Sequence, residues 1–183
     1  ANVIRKWVQN LEEEWRVEAF DTGLNTQTGG RIKKCMEVYP SERYFVTYGD
    51  GVGNVDLHEL LEFHKKHQRL ASVTAVHPPA RFGVLEVSNF QVTRFGEKRQ
   101  ADTGWINGGF FVLENSIKEW IGGDDEPFET GALPKLSLSG ELTAYLHEGF
   151  WQPMDTLREK IELESMCKLT IPPWLILNKL QGS

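Results

Sequence analysis

The segment YFVTYGDGVGNVD, residues 44–56, decides the fold that this sequence predicts. It opens with apolar, aromatic and β-branched residues, which predict a strand covered on both faces of a sheet. The strand runs into Gly49, Asp50 and Gly51, where the glycines let the backbone turn sharply and a ligand come close. Ligands of open α/β sheets bind beyond the carboxyl ends of the strands, so Asp50 is a candidate ligand-binding residue. An ordinary Asp-Gly turn is the alternative interpretation.

Length and composition limit the class of protein. The chain has 183 residues, 40% apolar and 11% aromatic, enough for one sizeable core. A net charge of −6 without a Lys/Arg cluster argues against a general nucleic-acid binder. Two separated cysteines, Cys35 and Cys167, suggest no disulfide framework and favour a reducing, cytoplasmic location. No apolar run approaches the roughly 20 residues of a membrane span, so no membrane partner is expected.

Strand and helix patterns alternate on both sides of the opening segment. Helical spacing of apolar residues predicts helices near residues 2–12, 31–39, 57–67, 114–121, 129–140 and 153–168. Strand patterns cover residues 15–20, 43–48, 71–77, 105–113 and 141–147, and a hairpin flanks Asn89. This order predicts an α/β fold of three layers with a mixed, mostly parallel sheet.

Asp155, in FWQPMDT, is a second candidate carboxylate. The alternative interpretation is a helix N-cap, because helical periodicity follows it. Proteins usually hold Mg²⁺ with one or two carboxylates together with the phosphates of a substrate. Asp50 and Asp155 form such a site only if the fold brings them together, and the sequence alone leaves that open.

Three further segments offer groups for a phosphate or sugar ligand. In RFGEKR, Lys98 suits a phosphate and Glu97 suits sugar hydroxyls, although a solvated surface pair is the alternative. In INGGFF, Asn107 and two glycines interrupt a strand, which predicts a β-bulge, a close-approach site or both. In TQTGGRIKK, a helix opens after two glycines and offers N–H groups to an anion or a base edge.

The remaining chemistry-bearing residues are interpreted as structural. The histidines lack the HExxH spacing of a zinc site, and His64 with His67 is interpreted as a solvated helix end. Trp105, Phe150 and Trp151 are interpreted as packing residues, with shelter for a sugar or base beside Asp155 as the alternative.

Taken in order, these segments resemble the glucose-1-phosphate cytidylyltransferases, within the sugar-phosphate nucleotidyltransferase family. The resemblance covers residues 1–168 and is carried by FDTG…TGGRIKK, FVTYGDGV, PPARFGVLEV, FGEK, INGGFFVL and GFWQPMDTLREK. It implies a Rossmann-like nucleotidyltransferase fold. It also implies that CTP and α-D-glucose 1-phosphate are converted, with Mg²⁺, to CDP-glucose and pyrophosphate for surface-polysaccharide synthesis.

By position, the resemblance implies roles for individual residues. Asp50 and Asp155 match the metal-binding carboxylates, and Lys98 matches the lysine that contacts the sugar phosphate. The implied sugar-binding residues are Gly83, Glu97, Asn107 and Gly108. The residues implied to surround the nucleotide base are Thr28, Gly29, Gly30 and Arg31.

The sequence departs from the family at its start. Members begin with an apolar strand, a GGxGTR loop and a KPK-like stretch that bind the triphosphate, and these residues contain none of them. We therefore expect a partial nucleotidyltransferase domain in residues 1–168, lacking its N-terminal strand and Gly-rich loop, then a tail in residues 169–183. A homo-oligomer is also expected.

Other functions stay open at this point. One alternative is a non-catalytic sugar-phosphate-binding or assembly remnant. Another is a uridylyl or thymidylyl transferase of the same family. A glycosyltransferase is disfavoured, because Asp50 is followed by Gly51 and Val52 and not by the second acid of an Asp-x-Asp metal motif.

Overall fold

The computed structural model of the protein describes residues 2–9, 15–79, 83–97 and 104–176. They belong to two compact units. The first unit comprises Ala1–Glu42 and Asn115–Ser139, and the second comprises Arg43–Glu114 and Gly140–Ser183. Among the described helices, none combines the length and the apolar character that crossing a membrane requires.

Helices and strands alternate along the chain, as predicted. The helices are α1 (Asn2–Gln9), α2 (Thr28–Val38), α3 (Leu57–His67), α4 (Ala132–Leu138) and α5 (Leu157–Met166), with 3-10 helices at Asn115–Trp120 and Pro173–Leu175. The strands are β1 (Arg43–Thr47), β2 (Gly51–Gly53), β3 (Ala71–Val76), β4 (Gly83–Ser88), β5 (Gln91–Glu97), β6 (Ile106–Glu114), β7 (Leu142–His147) and β8 (Trp151–Pro153).

The first unit is built from helices around a small apolar core. Its fully buried side chains are Met36, Ile117, Ile121, Phe128, Ala132 and Leu136. The strand predicted at residues 15–20 is wrong, because this segment has no regular secondary structure. Alternating apolar residues form a strand only where a neighbouring strand pairs with their backbone, and no described strand pairs with this one.

A four-stranded sheet with the order β1-β6-β3-β7 forms the second unit's framework. β6 runs antiparallel to both β1 and β3, whereas β7 runs parallel to β3. The predicted mixed sheet is confirmed, although its parallel share is smaller than predicted: one of these three pairings is parallel. β1, β3 and β7 therefore run in the same direction. Their carboxyl ends lie at the same end of the sheet as the amino end of β6.

The strand β1 is an edge strand of this sheet. The prediction that both of its faces are covered is wrong, because Phe45 remains 49% exposed and Thr47 is exposed as well. A run of apolar residues shows that a strand tolerates burial, but the neighbouring elements decide how much of it is covered.

Two further strand pairs complete the second unit. β4 and β5 form the predicted hairpin, and its two-residue turn has positive φ at Asn89 (48°) and Phe90 (64°), as a type I′ turn requires. β2 and β8 form a short antiparallel ladder that the sequence did not predict. Each has three residues, too few for an alternating pattern to emerge.

The helix α3 packs on the four-stranded sheet through a core of Val55, Leu60 and Val112. Its bounds confirm the prediction, and the Asp56 carboxylate caps it by accepting from the N–H groups of His58 and Glu59. The Glu59 side chain does not return a hydrogen bond to the backbone of Asp56, so no capping box forms here.

The Glu59 carboxylate instead accepts from the Tyr145 hydroxyl at 2.9 Å. Burial, helped by this hydrogen bond, raises the pKa of Tyr145 to about 12. The phenol therefore stays protonated and keeps donating to Glu59 throughout the physiological pH range.

His64 is buried in the core, not solvated at the helix end as predicted. Its exposure is 1%, with Nδ1 2.8 Å from Ser72 Oγ and Nε2 2.9 Å from Glu114 Oε1. The Arg43 guanidinium also donates to the same Glu114 oxygen, at 2.7 Å. Burial lowers the pKa of His64, and the hydrogen bond to Glu114 opposes part of that effect.

Acid is expected to destabilise the second unit through His64. Because the pKa of His64 is lower in the folded state, the unfolded chain takes up its proton first as the pH falls. The stabilising contribution is complete above pH about 6.5 and is lost below it, at up to about 1.4 kcal/mol per pH unit. Burial lowers the pKa of His147 too, which adds to the same loss.

Urea unfolding between pH 7.5 and pH 5 measures this dependence. The His64→Gln variant should show a shallower slope than the wild type, whatever its stability at pH 7.5. Equal slopes in the two proteins would contradict the assignment to His64.

Candidate functional site

The two candidate carboxylates lie at the same end of the β2–β8 ladder. Within the ladder, Gly51 stands opposite Pro153. Pairing continues one step further, because the N–H of Met154 donates to the C=O of Asp50 at 2.7 Å. Asp155 is thus one residue beyond the partner of Asp50, and both acids are exposed. The fold brings together two acids that are far apart in the sequence.

Asp155 is not the N-cap of α5, so that alternative interpretation is wrong. Thr156 is the cap, and its Oγ1 accepts from the N–H of Glu159 at 3.2 Å. In return, the Glu159 carboxylate accepts from the N–H groups of Thr156 at 2.9 Å and of Asp155 at 3.0 Å. This capping box holds the backbone of Asp155 beside the ladder without using its carboxylate as the cap.

The predicted β-bulge interrupts β6 beside these acids. Val73 pairs with Phe111 and Ala75 pairs with Asn107, so three residues of β6 stand opposite one residue of β3. Within the bulge, Gly109 has a φ of +79°, which only glycine adopts easily. The N–H of Gly109 donates to Asn107 Oδ1 at 2.8 Å. This hydrogen bond holds the exposed Asn107 amide in one orientation.

Tyr48 joins the bulge to the segment that carries Asp50. Its N–H donates to the C=O of Gly109 at 3.1 Å, and a Cβ added to Gly109 would lie 2.8 Å from its ring. Asn107 Nδ2 is 3.4 Å from the Tyr48 hydroxyl. Because Asp50 is two residues further on, this contact sets the distance between the bulge and the first acid.

Trp151 joins the bulge to the other strand of the ladder. Its indole N–H donates to the C=O of Gly108 at 2.9 Å, and the residue is only 9% exposed. Gly108 itself has a packing role, because an added Cβ would lie 2.7 Å from Val76 Cγ1. Segments 48–51, 107–109 and 151–155 therefore converge at the end of the sheet that holds the carboxyl ends of β1 and β7.

Residues 10–158 match the family model for nucleotidyl transferases. The chain belongs to the nucleotidyl transferase family. The match spans more than half of the chain and includes both acids, the β6 bulge and the segment around Gly29 and Gly30.

The curated relatives of this nucleotidyl transferase include sugar-1-phosphate enzymes. Glucose-1-phosphate cytidylyltransferase from Salmonella typhi is 45% identical over 163 residues, 88% of this chain and 63% of that protein. Probable glucose-1-phosphate cytidylyltransferase from Bacillus subtilis is 36% identical over 155 residues, 84% of this chain and 61% of that protein. Mannose-1-phosphate guanylyltransferase 1 from Arabidopsis thaliana is 33% identical over 154 residues, 76% of this chain and 43% of that protein. The chain thus spans less than two thirds of the length of these relatives.

Among solved structures, the fold is similar to that of HddC from Yersinia pseudotuberculosis complexed with GMP-PN. The TM-score is 0.68 at 23% identity, over 88% of this chain and 71% of that chain. This similarity supports the predicted nucleotidyltransferase fold.

In the first unit of this nucleotidyl transferase, the predicted base-binding residues open α2. The Thr28 hydroxyl donates to Glu129 at 2.7 Å and accepts from the N–H of Phe128 at 2.8 Å. Arg31 donates to Thr22 Oγ1 at 2.6 Å and lines a cleft of about 430 Å³. These two side chains therefore have structural partners, while their role toward a base stays a prediction.

Gly29 and Gly30 are buried, and their lack of a side chain allows the segment 124–128 to pack closely against the start of α2. A Cβ on Gly29 would lie 2.6 Å from the C=O oxygen of Glu126, and one on Gly30 would lie 2.7 Å from Cα of Asp124. Side chains at either position would collide with backbone atoms. The glycine pair thus has a packing role that sequence reasoning missed.

The predicted sugar-phosphate residues of the β4–β5 hairpin are only partly described. Gly83 pairs with Glu97 at the open end of the hairpin, although they stand at opposite ends of the hairpin segment in the sequence. Lys98 lies outside the described residues, and so does the side chain of Glu97. The structure brings Gly83 and Glu97 together and leaves the role of Lys98 as a prediction.

Sequence reasoning gave no role at the site to Tyr48 and interpreted Trp151 as packing. Tyr48 stands two residues before Asp50, and Trp151 stands four residues before Asp155. The only available signal was this closeness to the candidate acids, which does not reveal a hydrogen bond to a third segment.

Proposed function

We propose that this protein transfers a cytidylyl group from CTP to α-D-glucose 1-phosphate, giving CDP-glucose and pyrophosphate. The observation that carries the proposal is the meeting of Asp50 and Asp155 at one end of the β2–β8 ladder, beside the Asn107 bulge. The identities of 45% and 36% to the Salmonella and Bacillus proteins support the choice of CTP and glucose 1-phosphate.

The oxygen donors at the site suit Mg²⁺. Asp50 and Asp155 are exposed carboxylates at neighbouring backbone positions, and Mg²⁺ commonly takes one or two carboxylates plus substrate phosphates. Within residues 2–9, 15–79, 83–97 and 104–176, no cluster of three or more acidic, His or Cys side chains is arranged to hold a metal. Such a cation would neutralise phosphate charge, with phosphate oxygens and water completing its coordination.

The residues of the site would act mainly by binding and orientation. The attacking group is a phosphate oxygen of the sugar phosphate, which is already an anion near neutral pH, so no strong general base is needed. Rate acceleration then depends on alignment and on compensation of negative charge. In a chain with a net charge of −6, that compensation has to be local, which is the role we propose for Lys98.

Asn107 would orient the sugar. Its Oδ1 accepts from the N–H of Gly109, and one hydrogen of its NH₂ is directed to the Tyr48 hydroxyl at 3.4 Å. The second hydrogen of the NH₂ is the one left to donate to a sugar oxygen. The packing of Gly108 against Val76 holds this end of β6 close to β3.

Pyrophosphate release with each of four nucleotides tests the proposal. We expect Mg²⁺-dependent release from CTP and α-D-glucose 1-phosphate, and little from UTP, dTTP or GTP. Mannose 1-phosphate serves as the control for the sugar. Turnover with UTP or dTTP but not with CTP would reject the cytidylyl assignment, and calorimetric binding of glucose 1-phosphate without CTP would indicate a non-catalytic sugar-phosphate-binding protein.

A further inference from the structure

We propose that Trp151 is a positioning residue for sugar 1-phosphate binding, because it holds the β6 bulge against the ladder that carries both acids. This inference rests on the proposed function and deepens it. It assigns a role to a side chain that acts through the Asn107–Gly108 segment and not by contact with the substrate.

The bulge leaves backbone groups of β6 in need of partners outside β3. Three residues of β6 stand opposite Thr74 alone, so the regular ladder of hydrogen bonds is interrupted there. A buried C=O without a partner is costly. The indole N–H of Trp151 supplies that partner to Gly108, at 2.9 Å from its carbonyl oxygen.

The same indole ring lies against β2. A Cβ added to Gly51 would lie 3.6 Å from Trp151 Nε1, and one added to Gly53 would lie 3.4 Å from Trp151 Cδ1. Trp151 is also the backbone partner of Gly53 in the ladder. One side chain therefore contacts β2, belongs to β8 and bonds to the bulge.

Loss of the indole N–H should act on one half of the site. The Gly108 carbonyl would lose its partner, and the adjoining Asn107 amide, which depends on the bulge through Gly109, would lose its fixed position. The acids depend on other contacts, since the Met154–Asp50 hydrogen bond and the capping box at Thr156 do not involve the indole. Sugar-phosphate binding should weaken while divalent-cation binding should not.

The Trp151→Phe variant tests this split, because it keeps an aromatic ring and removes the N–H. We expect the Kd for α-D-glucose 1-phosphate, measured by calorimetry, to rise about fivefold to tenfold, the loss typical of one neutral hydrogen bond. The Kd for Mn²⁺, measured by electron paramagnetic resonance, should stay within about twofold of the wild type. In turnover assays, KM for the sugar phosphate should rise more than kcat falls.

Two comparisons keep the result interpretable. Trp174→Phe makes the same chemical change at a residue that packs against Phe150, and it should leave both constants unchanged. Replacing Trp151 by 3-benzothienylalanine keeps the bicyclic shape without the N–H, so it should reproduce the loss even where Trp151→Phe does not fold.

Unchanged sugar-phosphate affinity in the Trp151 variants, or an equal loss of Mn²⁺ affinity, would overturn the positioning role while leaving the proposed function intact. A wild-type protein that binds neither glucose 1-phosphate nor Mn²⁺ would overturn the proposed function together with it.

Discussion

Asp50→Asn is expected to abolish nearly all turnover, by about 10²–10³-fold or more, while leaving the fold intact. Removing a single group that stabilises transition-state charge commonly costs this much. The exposed side chain is replaced by one of the same size, and the C=O that accepts from Met154 is unchanged. Initial rates of pyrophosphate release, together with urea unfolding, measure the two effects separately.

Asp155→Asn should reproduce this loss, because both acids would hold the same cation from one end of the ladder. Glu62→Gln is the matched control, since Glu62 is an exposed acid of α3 in the second unit and pairs with Lys65. Retained turnover in both Asp50→Asn and Asp155→Asn would rule out the metal site proposed for this ladder.

Gly30→Ala is expected to destabilise the first unit by about 2 kcal/mol. The added Cβ would lie 2.7 Å from Cα of Asp124 and 2.8 Å from Cγ2 of Thr26, and backbone cannot yield as a flexible side chain can. Overpacking of this kind typically costs about 1–3 kcal/mol. Because the overlap is severe, we expect a steric cost of about 3 kcal/mol or more, at or above the upper end of that range. Alanine gains about 1 kcal/mol over glycine in helix propensity, which leaves a net loss of about 2 kcal/mol in the free energy of unfolding.

Gly104→Ala is the control for this measurement, because a Cβ there meets nothing within 4 Å. Thermal or urea unfolding should place it within about 0.5 kcal/mol of the wild type. A Gly30→Ala protein of normal stability that no longer binds CTP would contradict the packing explanation and favour the base-binding role.

Local patterns were sufficient for elements that are stabilised locally. α3 could be predicted to the residue, because its apolar spacing and its Asp56 cap both lie within the segment itself. The β4–β5 hairpin could be predicted for the same reason, since a two-residue turn joins strands that are adjacent in sequence. The bulge at Gly108 and Gly109 was visible because paired glycines rarely interrupt an apolar strand without a purpose.

Burial could not be predicted where it depends on distant segments. His64 was interpreted as solvated, yet Ser72 and Glu114 surround its ring. The segment 15–20 has the alternation of a strand and no described partner, so it forms none. Both errors concern contacts with segments that are distant in the sequence: the burial of a side chain in one case and the pairing of a strand in the other. Tertiary packing decides which distant segments come into contact.

The sequence by itself determined which groups the protein offers: two acids in Gly- and Pro-bounded turns, an Asn-Gly-Gly bulge and a glycine pair at a helix start, in the order typical of a nucleotidyl transferase. Only the tertiary structure decided that Asp50 and Asp155 share one end of a ladder, and that Tyr48 and Trp151 join this ladder to the bulge. The physical reason is that these contacts are hydrogen bonds between backbone or indole groups of chain-distant segments. Each residue's own neighbourhood in the sequence carries no information about which distant carbonyl its N–H will find.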